Sequence, residues 1–263
     1  MRDLSPETEG SMSTAPHLAH SPPILTVQDL TFSAQKTVLL NAVSLNIREG
    51  SRTLIMGPNG AGKSLLLRLM HGLIKPDAGT ITWKGRANAS EARRFQSMVF
   101  QRPVLLRRSV FANLSFALGV HGLRGKLKAD KIRAALHDAG LAHLETRPAR
   151  VLSGGQQQRL SLVRALATDP EILFLDEPTA NLDPASTSAI EQLIMKASAR
   201  GVTIVLVTHD QGQAKRLGED LVFLQDGEVA ETGPAQTILT APQSEPVKAW
   251  VDGRIYLGSK AGY

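Results

Sequence analysis

Gly57-Pro58-Asn59-Gly60-Ala61-Gly62-Lys63-Ser64 has the spacing G-x-x-x-x-G-K-[ST], and the reading of this stretch decides the fold of the 263-residue chain. Glycines let successive backbone N–H groups turn inward without a Cβ clash, so the loop forms a concave nest for an anion. Lys63 adds a compact positive charge suited to β- and γ-phosphate oxygens, and the Ser64 hydroxyl suits Mg²⁺. Upstream, residues 51–56 read as a short buried strand; downstream, Leu65, Leu66, Leu69, Met70 and Leu73 recur at helical spacing. A strand feeding a glycine turn feeding a helix N-terminus adds the helix dipole to the nest. The cradle over residues 57–65 therefore fits the polyphosphate of a nucleotide.

The rest of the chain reads outward from that loop. From Ile24 to Glu49 the runs Leu25-x-Val27 and Val43-x-Leu45-x-Ile47 alternate about a turn at 33–37, which predicts antiparallel strands ahead of the cradle. Beyond the helix, which should end near Gly72, lie a turn at 75–79, a strand at 80–83 and another at 97–100 that stops at Gln101. Residues 102–150 change character. Phe111, Leu114 and Leu118 share one helical face, a basic, glycine-bearing linker runs through Gly125, and Ile132, Leu136 and Ala139 mark a second helix. This is a helical insertion.

Leu152-Ser153-Gly154-Gly155-Gln156 opens a further helix with Leu160, Val163 and Leu166 facing inward. Ile172 to Leu175 is apolar throughout, as in a strand buried on both faces, and ends in Asp176-Glu177. Asp183 caps a helix that has Pro184 at its first position. Another strand, 202–207, ends at Thr208-His209, and Asp226-Gly227 turns a terminal hairpin. Strands alternating with helices give an α/β fold on a mostly parallel sheet. Ligands gather at the carboxyl ends of such strands, where Gly57, Gln101, Asp176 and His209 all fall.

Composition narrows the function. There is no Cys, hence no disulfide and no thiolate metal site. No apolar run reaches the length needed to cross a bilayer, and residues 1–23, rich in Ser, Pro, Thr, Glu and His, read as a disordered leader rather than a secretory signal. The net charge of +6 is diffuse. Its densest stretch, Arg102, Arg107, Arg108, Arg124, Lys126, Lys128 and Lys131, lacks the interleaved aromatics that single-stranded nucleic acid favours, so no direct nucleic-acid partner is expected.

Among the candidate site residues, Asp176 suits a hard cation bridging phosphates. A second carboxylate beside it is costly without a positive charge between them, so Glu177 points to work on an attacking water. Gln101 alone is equally an ordinary polar strand end, and His209 alone equally structural.

Six motifs taken together, namely the cradle, Gln101, Leu152-Ser153-Gly154-Gly155-Gln156 followed by Gln157-Gln158-Arg159, Asp176-Glu177-Pro178-Thr179, Asn181-Leu182-Asp183 and Thr208-His209-Asp210, resemble the ATP-binding subunits of ABC transporters, over nearly all of 25–233. The resemblance implies a P-loop NTPase core with an antiparallel β subdomain and a helical insertion at about 102–150, the ATPase domain spanning 24–240 and a tail 241–263. It implies ATP and Mg²⁺ as cofactors, with Ser64, Gln101 and Asp176 at the metal. It makes Glu177 the general base, sets His209 on the γ-phosphate and uses Gln101 to join the metal to the insertion. Two copies are implied to close head to tail on ATP, so that Ser153, Gly154, Gly155 and Gln156 of one copy complete the site of the other, with Asp183 at the seam. The implied setting is the cytoplasmic face of the inner membrane, bound to integral permease subunits and indirectly to a solute-binding protein. Oxyanion importer subunits are the most similar, tungstate first, then phosphate or molybdate; an exporter subunit or a soluble ATPase acting on ribosomes or nucleic acid are the rivals. In one place the chain departs from the family: Ala34 stands near the position of the aromatic that stacks on adenine, and Phe32 nearby alternates with Leu30.

Overall fold

Residues 23–87 and 90–256 are described by a computed structural model, so the expected leader, 1–23, lies outside the described residues apart from Pro23. β1 (Pro23–Ala34) and β2 (Thr37–Arg48) form the antiparallel pair that the alternation predicts, burying Leu25, Val27, Val43, Leu45 and Ile47. Gln35 and Lys36 join them, both at positive φ (48° and 67°), the geometry whose twist suits a two-residue hairpin. β3 (Arg52–Met56) enters the cradle and α1 (Lys63–Met70) leaves it. Leu73 falls beyond the end of α1 and is half exposed, because the helix stops at its His71 cap before the apolar stripe is complete. β4 (Ala78–Trp83) pairs with the other edge of β1, and β5 (Arg86–Ala87) completes a sheet of order β2-β1-β4-β5.

The insertion follows β6 (Gln96–Val99) and contains α2 (Val110–Val120) and α3 (Gly125–Asp138). Gly125 is therefore the first residue of α3 rather than linker; Gly122, at φ 85°, makes the turn instead. Then come α4 (Gly154–Leu166), β7 (Ile172–Asp176), α5 (Pro184–Ala199), β8 (Thr203–Val207), α6 (Gln211–Leu217), β9 (Asp220–Gln225), β10 (Glu228–Pro234), α7 (Ala235–Thr240) and α8 (Glu245–Val251). The second sheet runs β10-β9-β3-β8-β7-β6, parallel except for the β9–β10 hairpin.

β7 and β8 are buried along their whole length, and their alternate residues serve two cores. Leu173, Leu175 and Leu206 pack with the insertion and α4 to α7, while Ile172, Phe174, Val205 and Val207 pack with α1 and the antiparallel sheet. This is why those runs read as continuously apolar. The C-terminal segment, 241–263 in the sequence reading, carries the docked helix α8: Val247 and Ala249 are buried, and the Trp250 ring meets Phe223 edge-on at 5.5 Å.

His71 closes α1 with its ring edge-on to Phe174 at 5.7 Å. Burial, with the Arg93 charge adding to it, holds its pKa down from 6.5 to about 4. The folded state thus keeps His71 neutral while the unfolded chain binds a proton below pH 6.5. Its contribution is present above 6.5 and lost as pH falls towards 4, on the order of 3 kcal/mol at most. His71→Gln should flatten that part of the stability curve, measured by urea unfolding at several pH values; an unchanged slope would contradict the assignment.

Candidate active site

The cradle residues 57–64 adopt the conformations their sequence was read to need. Gly57, Gly60 and Gly62 have φ of 141°, 84° and 95°, and a Cβ on Gly57 would lie 2.1 Å from the Leu224 carbonyl oxygen. No L side chain fits there. The first ladder bond of α1 runs from Leu66 N–H to the Gly62 carbonyl (2.8 Å), so the N–H groups of Lys63, Ser64 and Leu65 are left for an anion. Leu65 offers only its backbone, since its side chain packs on the antiparallel core.

Lys63 is 6% exposed, and its Nζ donates to the Gly57 and Pro58 carbonyls at 2.8 Å each. Burial lowers its pKa, with the Glu177 and Asp176 carboxylates pulling the other way. Ser64 Oγ donates to Asp176 Oδ1 at 2.6 Å. Burial raises the Asp176 pKa against that hydrogen bond, which leaves a desolvated carboxylate whose charged form a cation would stabilise. A hydroxyl and a carboxylate in contact fit Mg²⁺, which takes one or two protein ligands and fills its octahedron with phosphate and water oxygens.

Glu177 sits at the end of β7 with φ 45°, an uncommon and costly conformation outside glycine. Its Oε2 accepts from Gln101 Nε2 at 3.1 Å, and its Oε1 lies 3.3 Å from His209 Nδ1. One carboxylate therefore gathers two residues that the sequence alone left ambiguous. Gln101, expected at the metal, is held on Glu177 instead of on the Ser64–Asp176 pair, because β6 and β7 are adjacent and their ends face each other. Gly57, Ser64, Gln101, Glu177 and His209 line one cleft together with Pro58, Asn59, Asn181 and Trp250, and the buried Lys63 and Asp176 are bonded to residues of that lining. Asn181 belongs to the Asn181-Leu182-Asp183 motif but had no role assigned to it, and Trp250 was not singled out at all; it comes from α8, and no local pattern connects it to the cradle.

Ser153–Gln156 lie apart from that cleft. Ser153 caps α4 by accepting from Gln156 N–H (3.3 Å), and Gln156 Oε1 accepts from Ser153 N–H (3.0 Å). With both side chains engaged in the cap, the exposed residue of the first turn is Gly154, while Gly155 is buried. A Cβ on Gly155 would lie 2.2 Å from Ser186 Oγ, in the first turn of α5. Asp183, fully exposed, caps that helix by accepting from Ser186 N–H at 2.9 Å, and its hydrogen bonds to Ser186 lower its pKa.

Ala34 is exposed at the end of β1, whereas Phe32 is partly buried and packs against the antiparallel core. Ala34→Tyr should therefore tighten ATP binding by roughly 3- to 10-fold through ring stacking, read by calorimetry. Unchanged affinity would mean that other contacts already cover the base.

The family model described as "ABC transporter" matches residues 40–180. The chain belongs to the ABC transporter family. Among curated ABC relatives, a phosphate import ATP-binding protein of Pyrobaculum aerophilum is 40% identical over 249 residues, 88% of this chain and 99% of the relative. A tungstate uptake system ATP-binding protein of Peptoclostridium acidaminophilum is 38% identical over 79% of this chain and 97% of its own. Among solved structures, an ATP-binding cassette dimer in a post-hydrolysis state with ADP and Pi superposes with a TM-score of 0.73 at 32% identity, covering 80% of this chain and 98% of that one. The chain is an ABC ATPase, with the α/β core and separate antiparallel sheet of that family.

Proposed function

We propose that the chain is the energy-coupling subunit of an importer for an oxyanion of the phosphate or tungstate kind, working as an ATP-closed head-to-tail homodimer. The observation that carries the reading is the division of the site. Gly57, Pro58, Asn59, Ser64 and the Gln101–Glu177–His209 group line one cleft, with Lys63 bonded to Gly57 and Pro58 and Asp176 to Ser64, while the α4 N-terminus, which also suits an anion, lies outside it. A second copy supplies the missing phosphates.

The residues divide the work of hydrolysis. On binding, Lys63 Nζ exchanges its two carbonyl partners for phosphate oxygens. Ser64 and Asp176 would hold Mg²⁺, which would supply neutralisation of the charge that develops during phosphoryl transfer. Glu177 orients a water and accepts its proton as the water oxygen attacks the γ-phosphorus and the bond to the bridging oxygen breaks, leaving ADP and phosphate. His209 donates to the γ-phosphate oxygens. Gln101, now bonded to Glu177, would serve as a further ligand of that ion and join it to the insertion that follows β6.

The ATPase unit is 24–240, with the insertion at about 102–150 and α8 of the following segment docked on that unit. The insertion also offers the partner surface. Leu105 packs against the core, while Val104 (62% exposed), Phe116, Val120 and Leu127 of the insertion are exposed. Arg108 and Lys128 flank the groove of Phe116 and Val120. Such a face suits a short apolar helix of a permease subunit carrying acidic residues. Among the described residues no helix is long and apolar enough to cross a membrane, so attachment at the cytoplasmic face is peripheral, through that surface.

Purification of the tagged chain from solubilised native membranes, with and without ATP, tests this reading. A multi-span permease subunit together with an oxyanion receptor is expected to accompany it; ribosomal or DNA-associated proteins without a membrane subunit would overturn the importer assignment.

A further inference from the structure

Three consecutive side chains on α4 hold three separate segments. Gln157 Nε2 donates to the Leu152 carbonyl (2.9 Å), Gln158 Nε2 to the Phe100 carbonyl (3.1 Å) and Arg159 Nη1 to the Ala139 carbonyl (3.3 Å). The middle contact bears on the chemistry. Gln158 is 2% exposed, and the oxygen of its amide has no partner among the described residues, so the Phe100 bond is what orients the group. Phe100 lies between the last residue of β6 and Gln101, whose own amide is on Glu177. A continuous path thus runs from the Ser153-capped end of α4, through Gln158, to the Phe100–Gln101 peptide and on to the Glu177 carboxylate.

We propose that Gln158 is a positioning residue that ties the Gln101 segment to α4, so that a phosphate docking on the α4 N-terminus is felt at the same chain's Glu177. This rests on the head-to-tail dimer. The phosphate at α4 then belongs to the site of the second copy, and Gln158 links the two sites energetically. A buried donor facing a backbone carbonyl is hard to replace: a methionine leaves that carbonyl unpaired, and a glutamate opposes it with a second acceptor.

The test compares wild type, Gln158→Met and Gln158→Glu in steady-state ATP hydrolysis, with nucleotide affinity measured separately by calorimetry and folding by thermal unfolding. Wild type is expected to hydrolyse ATP with a Hill coefficient clearly above 1. Both variants are expected to bind nucleotide within about a factor of two of wild type, because the cradle is untouched, while kcat falls roughly tenfold or more and the Hill coefficient drops towards 1. Variants that fold and keep both wild-type kcat and Hill coefficient overturn the role of Gln158 and leave the dimer standing. A wild type without cooperativity and without ATP-driven association overturns both. If neither variant folds, hydrogen exchange on wild type decides: protection of 98–104 and 152–160 should rise together on ATP closure, and protection confined to 152–160 overturns the link.

Discussion

Glu177→Gln is expected to lower kcat by roughly 10²–10⁴-fold while leaving ATP affinity nearly unchanged, and to accumulate a dimer in the presence of ATP. The amide keeps the size of the carboxylate and can still meet Gln101 and His209, but it cannot accept a proton at neutral pH. Binding should survive because the substitution leaves the cradle at 57–64 untouched. Closure would then proceed without the hydrolysis that reopens it. Single-turnover kinetics together with light scattering measure both halves. Turnover near the wild-type rate would remove Glu177 from the role of general base, and a monomer at saturating ATP would remove the closure step.

Lys63→Ala should weaken ATP binding by roughly 10²-fold or more, since Lys63 is placed to make two or more charge-assisted hydrogen bonds to phosphate at about 1.5–3 kcal/mol each. The side chain is already desolvated and fixed on two backbone carbonyls, so little ordering cost remains at the moment of binding. Stability should change less than affinity: the substitution leaves the Gly57 and Pro58 carbonyls short of a donor, but it also relieves the cost of burying a cation. Calorimetric titration with ATP and a thermal melt of the free protein separate the two effects. Retained affinity would mean that the backbone nest alone holds the nucleotide.

What could be read from the sequence was whatever consecutive residues encode. The cradle, the buried β7 and β8, the Asp183-Pro184 helix start and the Asp226-Gly227 hairpin each follow from local chemistry, and each stands where it was expected. Features that depend on neighbouring strands did not show. Alternation alone left the direction of Phe32 open; its ring packs against the antiparallel core while staying partly exposed. The contact of Gln101 with Glu177 needs β6 beside β7, residues 76 apart in sequence. The positive φ of Glu177, the arrival of Trp250 at the cleft and the bond from Gln158 to Phe100 are likewise tertiary facts.

Head-to-tail closure is the claim on which the rest depends, and the absence of cysteine makes it open to direct test. Two differently tagged copies, both carrying Glu177→Gln, would bear one substitution each, Asn59→Cys in the cradle of one and Ser153→Cys at the α4 cap of the other. Mild oxidation with and without ATP then reads which surfaces meet. The account predicts a disulfide between the two differently tagged copies that forms only with ATP. Links solely between like-tagged copies, or the same yield without nucleotide, would contradict it.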